Sequence, residues 1–281
     1  MTEFVRQLLL MPEIRRRIGA APFDPEFRRG LLRSHLESTF LRRRGYPGNL
    51  ADVAGYKARY CDFATFLFLF RSIFIEGEYF FSGAGPRPFI LDCGSNIGMS
   101  LLYFKARFPD AEIAAFEPDA AAFACLRENV EMNGLKGVSL HDKAVSGRPG
   151  PVDFWRGADR PGGLGNTICA NPLKKKVRAE AVALSSYIDR KVDFLKLDVE
   201  GAEFQVIEDL ARSGRLRLVE RMLIECHLGM PGTDGTLSGL LGALETAGFA
   251  CRFGGVLERP FRAAGFQAFH IYAGNKERTG A

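Results

Sequence analysis

The sequence predicts an α/β protein with a parallel, doubly wound sheet and a helical N-terminal region. From Phe89 onward, short apolar segments alternate with helical patterns, which is typical of a parallel sheet with helices on both faces. A glycine-rich loop follows the first apolar segment, whereas the residues before 85 carry apolar side chains at helical spacing. The 281 residues are 47% hydrophobic and 25% charged, which excludes a disordered, collagen-like or low-complexity chain.

Three helices are predicted in the N-terminal region, because apolar residues recur there at intervals of three and four. Asp24, followed by Pro25, marks the start of the second helix, since proline is favoured in a first helical turn. The glycine- and proline-rich residues 82–88 end the region. We therefore expect a helical extension over 1–85 and a second domain over 86–281. The predicted helices are Met1–Ile18, Asp24–Arg43 and Ala51–Ile75.

The second region alternates between predicted strands and predicted helices. The strands are Phe89–Cys93, Glu112–Phe116, Val138–His141, Val192–Leu197, Arg221–Cys226, Phe249–Phe253 and Gln267–Tyr272. The helices are Met99–Phe108, Asp119–Met132, Ala202–Leu210 and Leu237–Ala247, and the pair Asn133-Gly134 is a suitable cap for the second of them. Ligands of such sheets bind beyond the carboxyl ends of the strands, so we expect the chemistry in the loops there.

Cysteine usage and apolar content bear on the cellular compartment. The six cysteines form no C-x-x-C pair, and the long chain shows no secretory signal, so neither a zinc knuckle nor a disulfide framework is expected. The longest apolar stretch, Phe63–Phe70, is too short for a transmembrane segment. We expect reduced thiols in a cytoplasmic protein.

The net charge of +5 is concentrated near the N-terminus, where residues 1–60 hold 12 basic and 6 acidic side chains. A solvated helical face is the favoured interpretation. Attraction to an anionic partner, including a peripheral contact with a membrane surface, is the alternative.

The glycine loop after the first strand is the strongest functional motif. Gly94 and Gly98 permit a tight turn, and Glu117 ends the next strand, where a carboxylate can bind both hydroxyls of a ribose. Asp92 at the strand end would repel a phosphate but would suit a cationic amine. A nucleoside with a charged amino-acid tail and no phosphate is S-adenosylmethionine, so we expect that cofactor.

Three segments together resemble the FkbM family of S-adenosylmethionine-dependent methyltransferases: DCGSNIGMS at 92–100, FEPD at 116–119 and LKLDVEGAEFQVIEDL at 195–210. The resemblance spans residues 76–227, with weaker similarity to the end, and does not fix the role of residues 1–75. It implies a class I methyltransferase fold, Rossmann-like, with a mostly parallel seven-stranded sheet and one antiparallel strand near an edge. It also implies methyl transfer to a hydroxyl of a sugar, a glycolipid or another natural product.

The resemblance further implies a set of cofactor-binding residues. Asp92, Gly94, Asn96 and Gly98 are expected to line the methionine part of S-adenosylmethionine, and Glu117 the ribose. Asp142 and Ala144 are expected beside the adenine, Asp198 at the amino-acid end, and Tyr79 closing over the cofactor.

A run of acids, Asp198-Val199-Glu200-Gly201-Ala202-Glu203, follows the fourth strand and is the candidate catalytic region. The helix dipole explains Glu203, but it explains Asp198 poorly because Asp198 precedes the turn. His227 ends the fifth strand with Glu225 two residues earlier, and a histidine titrating near neutrality suits a proton acceptor. We therefore predict Asp198, Glu200 and His227 as catalytic residues.

Asp198, Glu200, Glu225 and His227 also offer an alternative divalent metal site, which would acidify a hydroxyl. No pair of histidines has ligand spacing, so we expect no metal. The glycine-rich loop within Arg156–Lys176 suits either a lid over the substrate or a mobile surface loop.

Other functions remain as alternatives. An N- or nucleic-acid methyltransferase of the same fold is disfavoured because D-V-E-G replaces an N-P-P-Y-type tetrapeptide after the fourth strand. Asp92 and the missing third glycine disfavour a nicotinamide-dependent oxidoreductase. The acids at 198–203 disfavour a non-catalytic nucleoside-binding module or a membrane-docked scaffold. We expect a small-molecule or glycan hydroxyl acceptor and no nucleic-acid partner.

Overall fold

The structure is a computed structural model that describes residues 3–41, 44–157, 163, 166–169, 171, 173–230, 235–255 and 267–276. Its first two helices are α1 (Glu3–Ala20) and α2 (Pro25–Leu36), and a π-helical turn over Glu37–Leu41 extends α2. The predicted start of α2 is confirmed, because Asp24 Oδ1 accepts hydrogen bonds from the amides of Glu26 and Phe27 at 2.9 Å.

The prediction of one helix over Ala51–Ile75 is wrong in its first half. This part of the chain forms an antiparallel hairpin of β1 (Leu50–Val53) and β2 (Tyr56–Arg59). The turn places Ala54 and Gly55 at φ +52° and +100°, the signature of a type I′ turn. The second half is helical as predicted, with α3 (Phe63–Phe70) followed by a π-helical turn over residues 71–75.

The first half of the central sheet follows the predicted strand and helix order. It consists of β3 (Phe89–Cys93), α4 (Met99–Arg107), β4 (Glu112–Phe116), α5 (Ala120–Met132) and β5 (Val138–His141). Asp119 caps α5 through the amides of Ala121 and Ala122. Gly134 at φ +57° ends α5, and the amide of Leu135 donates to Val130 O at 3.0 Å.

A small three-stranded sheet interrupts the alternation and was not predicted. It consists of β6 (Ala144–Ser146), β7 (Gly150–Arg156) and β8 (Lys175–Ala183), in the order β6-β8-β7. The strands β7 and β8 lie partly exposed, and β8 begins with charged residues, so an apolar pattern does not reveal the sheet. Of the glycine run between β7 and β8, Gly162 and Gly165 lie outside the described residues.

The second half of the central sheet again alternates. It consists of β9 (Phe194–Leu197), α6 (Glu203–Arg212), β10 (Arg221–Leu228), α7 (Leu237–Thr246), β11 (Phe249–Gly254) and β12 (Gln267–Asn275). The seven strands lie in the order β11-β12-β10-β9-β3-β4-β5. β12 runs antiparallel to both of its neighbours, whereas the strand pairs from β10 to β5 are parallel. The predicted seven-stranded sheet with one antiparallel strand near an edge is therefore confirmed.

Two apolar clusters cover the two faces of the sheet. One combines α4 and α5 with the N-terminal segment, residues 3–88, and the other contains α6 and α7. Phe66, Phe70 and Phe74 stack in a row, and Phe74 meets the ring of Tyr103 on α4 edge to face. The N-terminal segment thus shares a core with one face of the sheet, and the domain boundary at residue 85 stays a prediction.

Within the described part of the chain, none of the helices combines the length and apolarity that crossing a membrane requires.

Gly98 and Gly134 form a matched pair for testing how the sheet and its helices fit together. Both have positive φ, +83° and +57°, so alanine is strained at either position. A Cβ at Gly98 would lie 2.6 Å from Leu126 Cδ1, whereas a Cβ at Gly134 would meet nothing within 4 Å. Gly134→Ala should lower the free energy of unfolding by about 1 kcal/mol and Gly98→Ala by about 2–4 kcal/mol in urea titrations. Equal losses would contradict the tight contact between the loop and α5.

Candidate active site

A cleft opens at the carboxyl ends of β3, β4 and β9, where the strand order changes direction. It encloses about 760 Å³, including its open mouth. The glycine loop, residues 94–98, forms its floor together with the ends of β4 and β9. The N-terminal segment, the small sheet and the segment after β7 supply further walls, through Leu69, Ile73, Tyr79, Ala144, Phe154 and Ile168.

The backbone amides of the glycine loop all bind acceptors within the protein. A Cβ at Gly94, whose φ is +85°, would lie 1.9 Å from the carbonyl oxygen of Asp198, so only glycine fits there. Each of the five loop amides donates to an acceptor within the chain at 2.8–3.0 Å. These acceptors are Phe116 O for Gly94 and Ser95, Glu117 Oε2 for Asn96, Asn96 Oδ1 for Ile97, and Ser95 O for Gly98.

Glu117 faces the cleft from the end of β4. Its two carboxylate oxygens accept hydrogen bonds from the amides of Asn96 and Asp119, each at 2.8 Å. Burial raises the pKa of Glu117 to about 7, although the two amides oppose the shift. The carboxylate is therefore fixed in orientation and keeps lone pairs for hydroxyl donors of a ligand.

Lys196 lies at the centre of the site, and sequence reasoning missed it. Its side chain is 3% exposed, and Nζ donates to Gly94 O at 2.6 Å and to Asp198 Oδ2 at 3.2 Å. Nζ also lies 3.7 Å from Asp92 Oδ1, and the Asp92 carboxylate accepts a hydrogen bond from Ser100. Burial lowers the pKa of Lys196, but the carboxylates of Asp198 and Asp92 outweigh it and raise the pKa. The lysine is therefore a permanent ammonium.

Asp198 and Glu200 face the cleft beside this ammonium. Burial raises the pKa of Asp198 to about 6, against the lowering effect of Lys196. Burial and the Asp198 charge raise the pKa of Glu200 to about 8. Glu200 adopts φ +54°, a strained conformation that directs it into the site.

His227 lies beneath the cleft, with 2% of its side chain exposed. Its Nδ1 lies 3.0 Å from Glu203 Oε1, and its Nε2 lies 3.4 Å from Glu200 Oε2. Burial lowers the pKa of His227, but the hydrogen bond to Glu203 and the neighbouring carboxylates raise it to about 10. Glu203 also accepts from the amides of Val199 and Gly201 and so fixes the turn before α6.

Two groups of side chains among the described residues have ligand atoms within 4.8 Å of one another and could hold a metal ion. One is Asp198, Glu200 and His227, and the other is Glu78, Glu225 and His270. In the second group, His270 Nε2 lies 3.2 Å from Glu78 Oε1. Two histidines and Lys196 already offset part of this negative charge, and the expectation of no metal stays a prediction.

Comparison with known proteins decides the family. Residues 92–251 match the methyltransferase FkbM domain, which is more than half of the chain. The chain belongs to the FkbM methyltransferase family. It is 28% identical to methyltransferase 1 of Beauveria bassiana over 69% of its own length and 83% of that protein. It is 26% identical to the 31-O-demethyl-FK506 methyltransferase FkbM of Streptomyces tacrolimicus over 65% of its own length and 81% of that protein. A shorter match, 42% identical over 69 residues, relates 25% of the chain to 28% of the 2-O-methyltransferase NoeI of Sinorhizobium fredii.

Most residues predicted for this FkbM-family site line the cleft. These are Tyr79, Gly94, Asn96, Glu117, Ala144, Asp198 and Glu200. Three others do not reach its wall: Asp92 is buried against Lys196, Gly98 backs the loop against α5, and His227 lies beneath Glu200. Asp142, with 71% of its side chain exposed, lines a neighbouring cleft instead. The functions assigned to these residues stay predictions.

The residues that sequence reasoning missed were hidden by their context. Lys196 occupies an apolar strand, and the signal for it was a charged residue in the otherwise buried run Phe194–Leu197. Phe154, Asn166 and Ile168 line the cleft from the small sheet and the segment after β7. No motif marks them, since their position depends on the unpredicted pairing of β7 with β8.

The protonation of His227 can be measured directly. Because its pKa is about 10, its ring should stay protonated at pH 8, whereas His35, whose pKa burial lowers to about 4, should be neutral. Imidazole ¹⁵N shifts distinguish the two states. Since the pKa is raised above the ordinary 6.5, the stabilisation is complete below about pH 6.5 and disappears towards pH 10. His227→Gln should therefore cost more unfolding free energy at pH 6 than at pH 10, and a neutral His227 ring at pH 8 would contradict this assignment.

Proposed function

We propose that this protein is an S-adenosylmethionine-dependent O-methyltransferase that acts on a hydroxyl of a sugar, a glycolipid or another natural product. The observation that carries the proposal is the hydrogen bonding of the glycine loop, whose backbone amides already have acceptors within the protein. A dinucleotide site leaves loop amides free for a pyrophosphate, whereas here all five amides bind acceptors within the chain. The acids Glu117, Asp198 and Glu200 also line the cleft, and their oxygens can accept hydrogen bonds from the ribose hydroxyls and the ammonium of such a cofactor.

The described residues fit each part of this cofactor. We assign Glu117 to the ribose hydroxyls, because its fixed carboxylate oxygens accept hydrogen bonds. Asp198 suits the ammonium of the methionine part, and the buried ring of Tyr79 closes that end. Ala144 and Phe154 provide apolar surface for the adenine. When bound, S-adenosylmethionine supplies an electrophilic methyl group on a sulfonium.

Glu200 is the group that we assign to accept the proton of the acceptor hydroxyl. It lines the cleft, and its pKa of about 8 lies close to neutrality, which suits a general base. His227 is already protonated at neutral pH, so it is unsuited to accept a proton. We assign it to hold Glu200 in place, with Glu203 fixing the imidazolium from the other side.

The relatives support a hydroxyl as the acceptor. The names of the Streptomyces and Sinorhizobium proteins both specify methylation at an oxygen. The cleft is consistent with a neutral acceptor, because apolar side chains of the N-terminal segment and of the segment after β7, Leu69, Ile73 and Ile168, line it. Alignment of such an acceptor with the methyl group contributes at most about 7–11 kcal/mol to lowering the barrier.

The cofactor assignment is tested by calorimetric titration with S-adenosylmethionine, S-adenosylhomocysteine and NAD. We expect the first two to bind and NAD not to bind. Glu117→Ala should weaken S-adenosylmethionine about 10- to 100-fold, because it removes charged hydrogen bonds to the ribose. His227→Ala should leave its affinity nearly unchanged. Binding of NAD alone, or equal losses in both variants, would refute the assignment.

The base assignment is tested by the pH dependence of methyl transfer to a panel of hydroxylated natural products. The rate constant kcat/KM should rise with pH and level off above about pH 8, as Glu200 loses its proton. Glu200→Gln should lower kcat about 10²- to 10⁴-fold and remove this pH dependence. The affinity of the variant for S-adenosylmethionine serves as the control for folding. An unchanged kcat in Glu200→Gln would exclude Glu200 as the base.

A further inference from the structure

Two asparagines on α5 hold the outer edge of β2. Asn133 Oδ1 accepts from the amide of Lys57 at 2.8 Å, and Asn133 Nδ2 donates to Lys57 O at 2.7 Å. Asn129 pairs with Arg59 in the same way, at 2.6 Å and 2.9 Å. The two side-chain amides thus take the place of a neighbouring strand and satisfy the edge of the hairpin.

This pairing depends on a match between the spacing of residues along strand β2 and the spacing of residues along helix α5. Two residues of an extended strand advance about 6.6 Å, and four residues of a helix advance about 6 Å. Lys57 and Arg59 therefore meet Asn133 and Asn129 in antiparallel order. The next step along the same line brings the Cys61 thiol to 3.1 Å from the thiol of Cys125. The segment from Lys57 to Cys61 is thus aligned along one face of α5.

The third hydrogen bond of each asparagine distinguishes them. Asn133 Nδ2 donates to Asn129 O at 2.7 Å, so this bond stays within α5. Asn129 Nδ2 donates instead to Ile97 O in the glycine loop, also at 2.7 Å. The side chain of Asn129, which is 1% exposed, therefore bridges the N-terminal segment and the glycine loop.

The glycine loop requires such an external anchor. Gly94, Asn96 and Gly98 all have left-handed φ, at +85°, +48° and +83°. Asn96 is a non-glycine residue in this less populated conformation, which surrounding contacts help to hold. Glu117 holds the loop on the amide side at Asn96, and Asn129 holds it on the carbonyl side at Ile97.

We propose that Asn129 is a positioning residue that couples docking of the N-terminal segment to the conformation of the glycine loop, and thereby to cofactor affinity. The link to affinity rests on the proposed function. The same segment supplies Leu69, Ile73 and Tyr79 to the cleft wall, so its docking sets the wall and the loop together. Arg59 lies outside the region that matches the family domain, whereas the glycine loop lies inside it. The proposed coupling therefore links the N-terminal segment to the matched domain.

The matched variants Asn129→Ala and Asn133→Ala test the proposal in the full chain. Both remove the paired bonds to β2, but only the first removes the bond to Ile97. Hydrogen exchange in the free protein should quicken over residues 55–60 in both variants and over residues 94–98 in Asn129→Ala alone. The Kd for S-adenosylmethionine should rise at least fivefold in Asn129→Ala and less than twofold in Asn133→Ala.

A second pair tests the coupling from the other side and leaves the buried Asn129 intact. Arg59→Pro removes the amide that donates to Asn129, and Lys57→Pro removes the amide that donates to Asn133. Arg59→Ala is the control for loss of the Arg59 ion pair with Glu128. Exchange over 94–98 should quicken in Arg59→Pro but stay unchanged in Lys57→Pro and Arg59→Ala.

The outcomes separate this inference from the proposed function. If neither the parent chain nor any variant binds S-adenosylmethionine, the proposed function fails. The exchange data still decide the role of Asn129 in that case. Equal exchange over 94–98 in the Asn129→Ala and Asn133→Ala variants would overturn the coupling. So would unchanged exchange there in Arg59→Pro.

Discussion

The ammonium of Lys196 is the interaction on which the geometry of the site depends. It joins the loop after β3 to the end of β9 by binding Gly94 O and Asp198 Oδ2, where the two backbones are close enough to exclude any Cβ. It also forms the ion pair that the described residues provide for Asp92, which is completely buried. A buried carboxylate without a counter-charge would cost several kcal/mol or would be protonated, so Asp92 and Lys196 stabilise one another. The charge of Asp92 at the end of β3 is thus compensated inside the protein, whereas Glu117 and Asp198 line the cleft.

The remaining acids at this edge form ion pairs with two histidines rather than with Lys196. His227 lies between Glu203 and Glu200, and His270 lies between Glu78 and Glu225. Glu203 takes the short hydrogen bond from His227, while Glu200 remains at a longer distance and has a raised pKa. The same electrostatic balance therefore makes the histidine a fixed cation and leaves the neighbouring glutamate with a pKa close to neutrality. A strand-end histidine beside several acids is a less suitable base than one of the acids.

The sequence predicts those parts of the fold that local patterns determine. Strand and helix alternation, the Asp24 cap and the Gly134 helix end all depend on neighbouring residues, and the structure has each of them. The β1–β2 hairpin was missed because its turn is Ala54-Gly55, which lacks the asparagine or aspartate common in type I′ turns. Lys196 was missed because its partners, Asp92 and Gly94, are about a hundred residues away in the chain. The pKa of His227 was misjudged for a related reason: Glu203 reaches it only once α6 packs on β10.

The N-terminal segment closes one side of a cleft whose glycine loop and acids lie within the matched domain. The glycine loop, Glu117 and Asp198 all lie within the matched region, yet Leu69, Ile73 and Tyr79 close the cleft from outside it. These three side chains are held by the same aromatic core that covers α4, so their position is set by packing rather than by a flexible loop. Leu69 and Ile73 lie on α3 and on the π-helical turn that follows it. One turn of helix therefore presents an apolar wall to the cleft while Phe70 and Phe74 pack into the core. The shape of this side of the cleft thus depends on a segment that lies outside the matched domain.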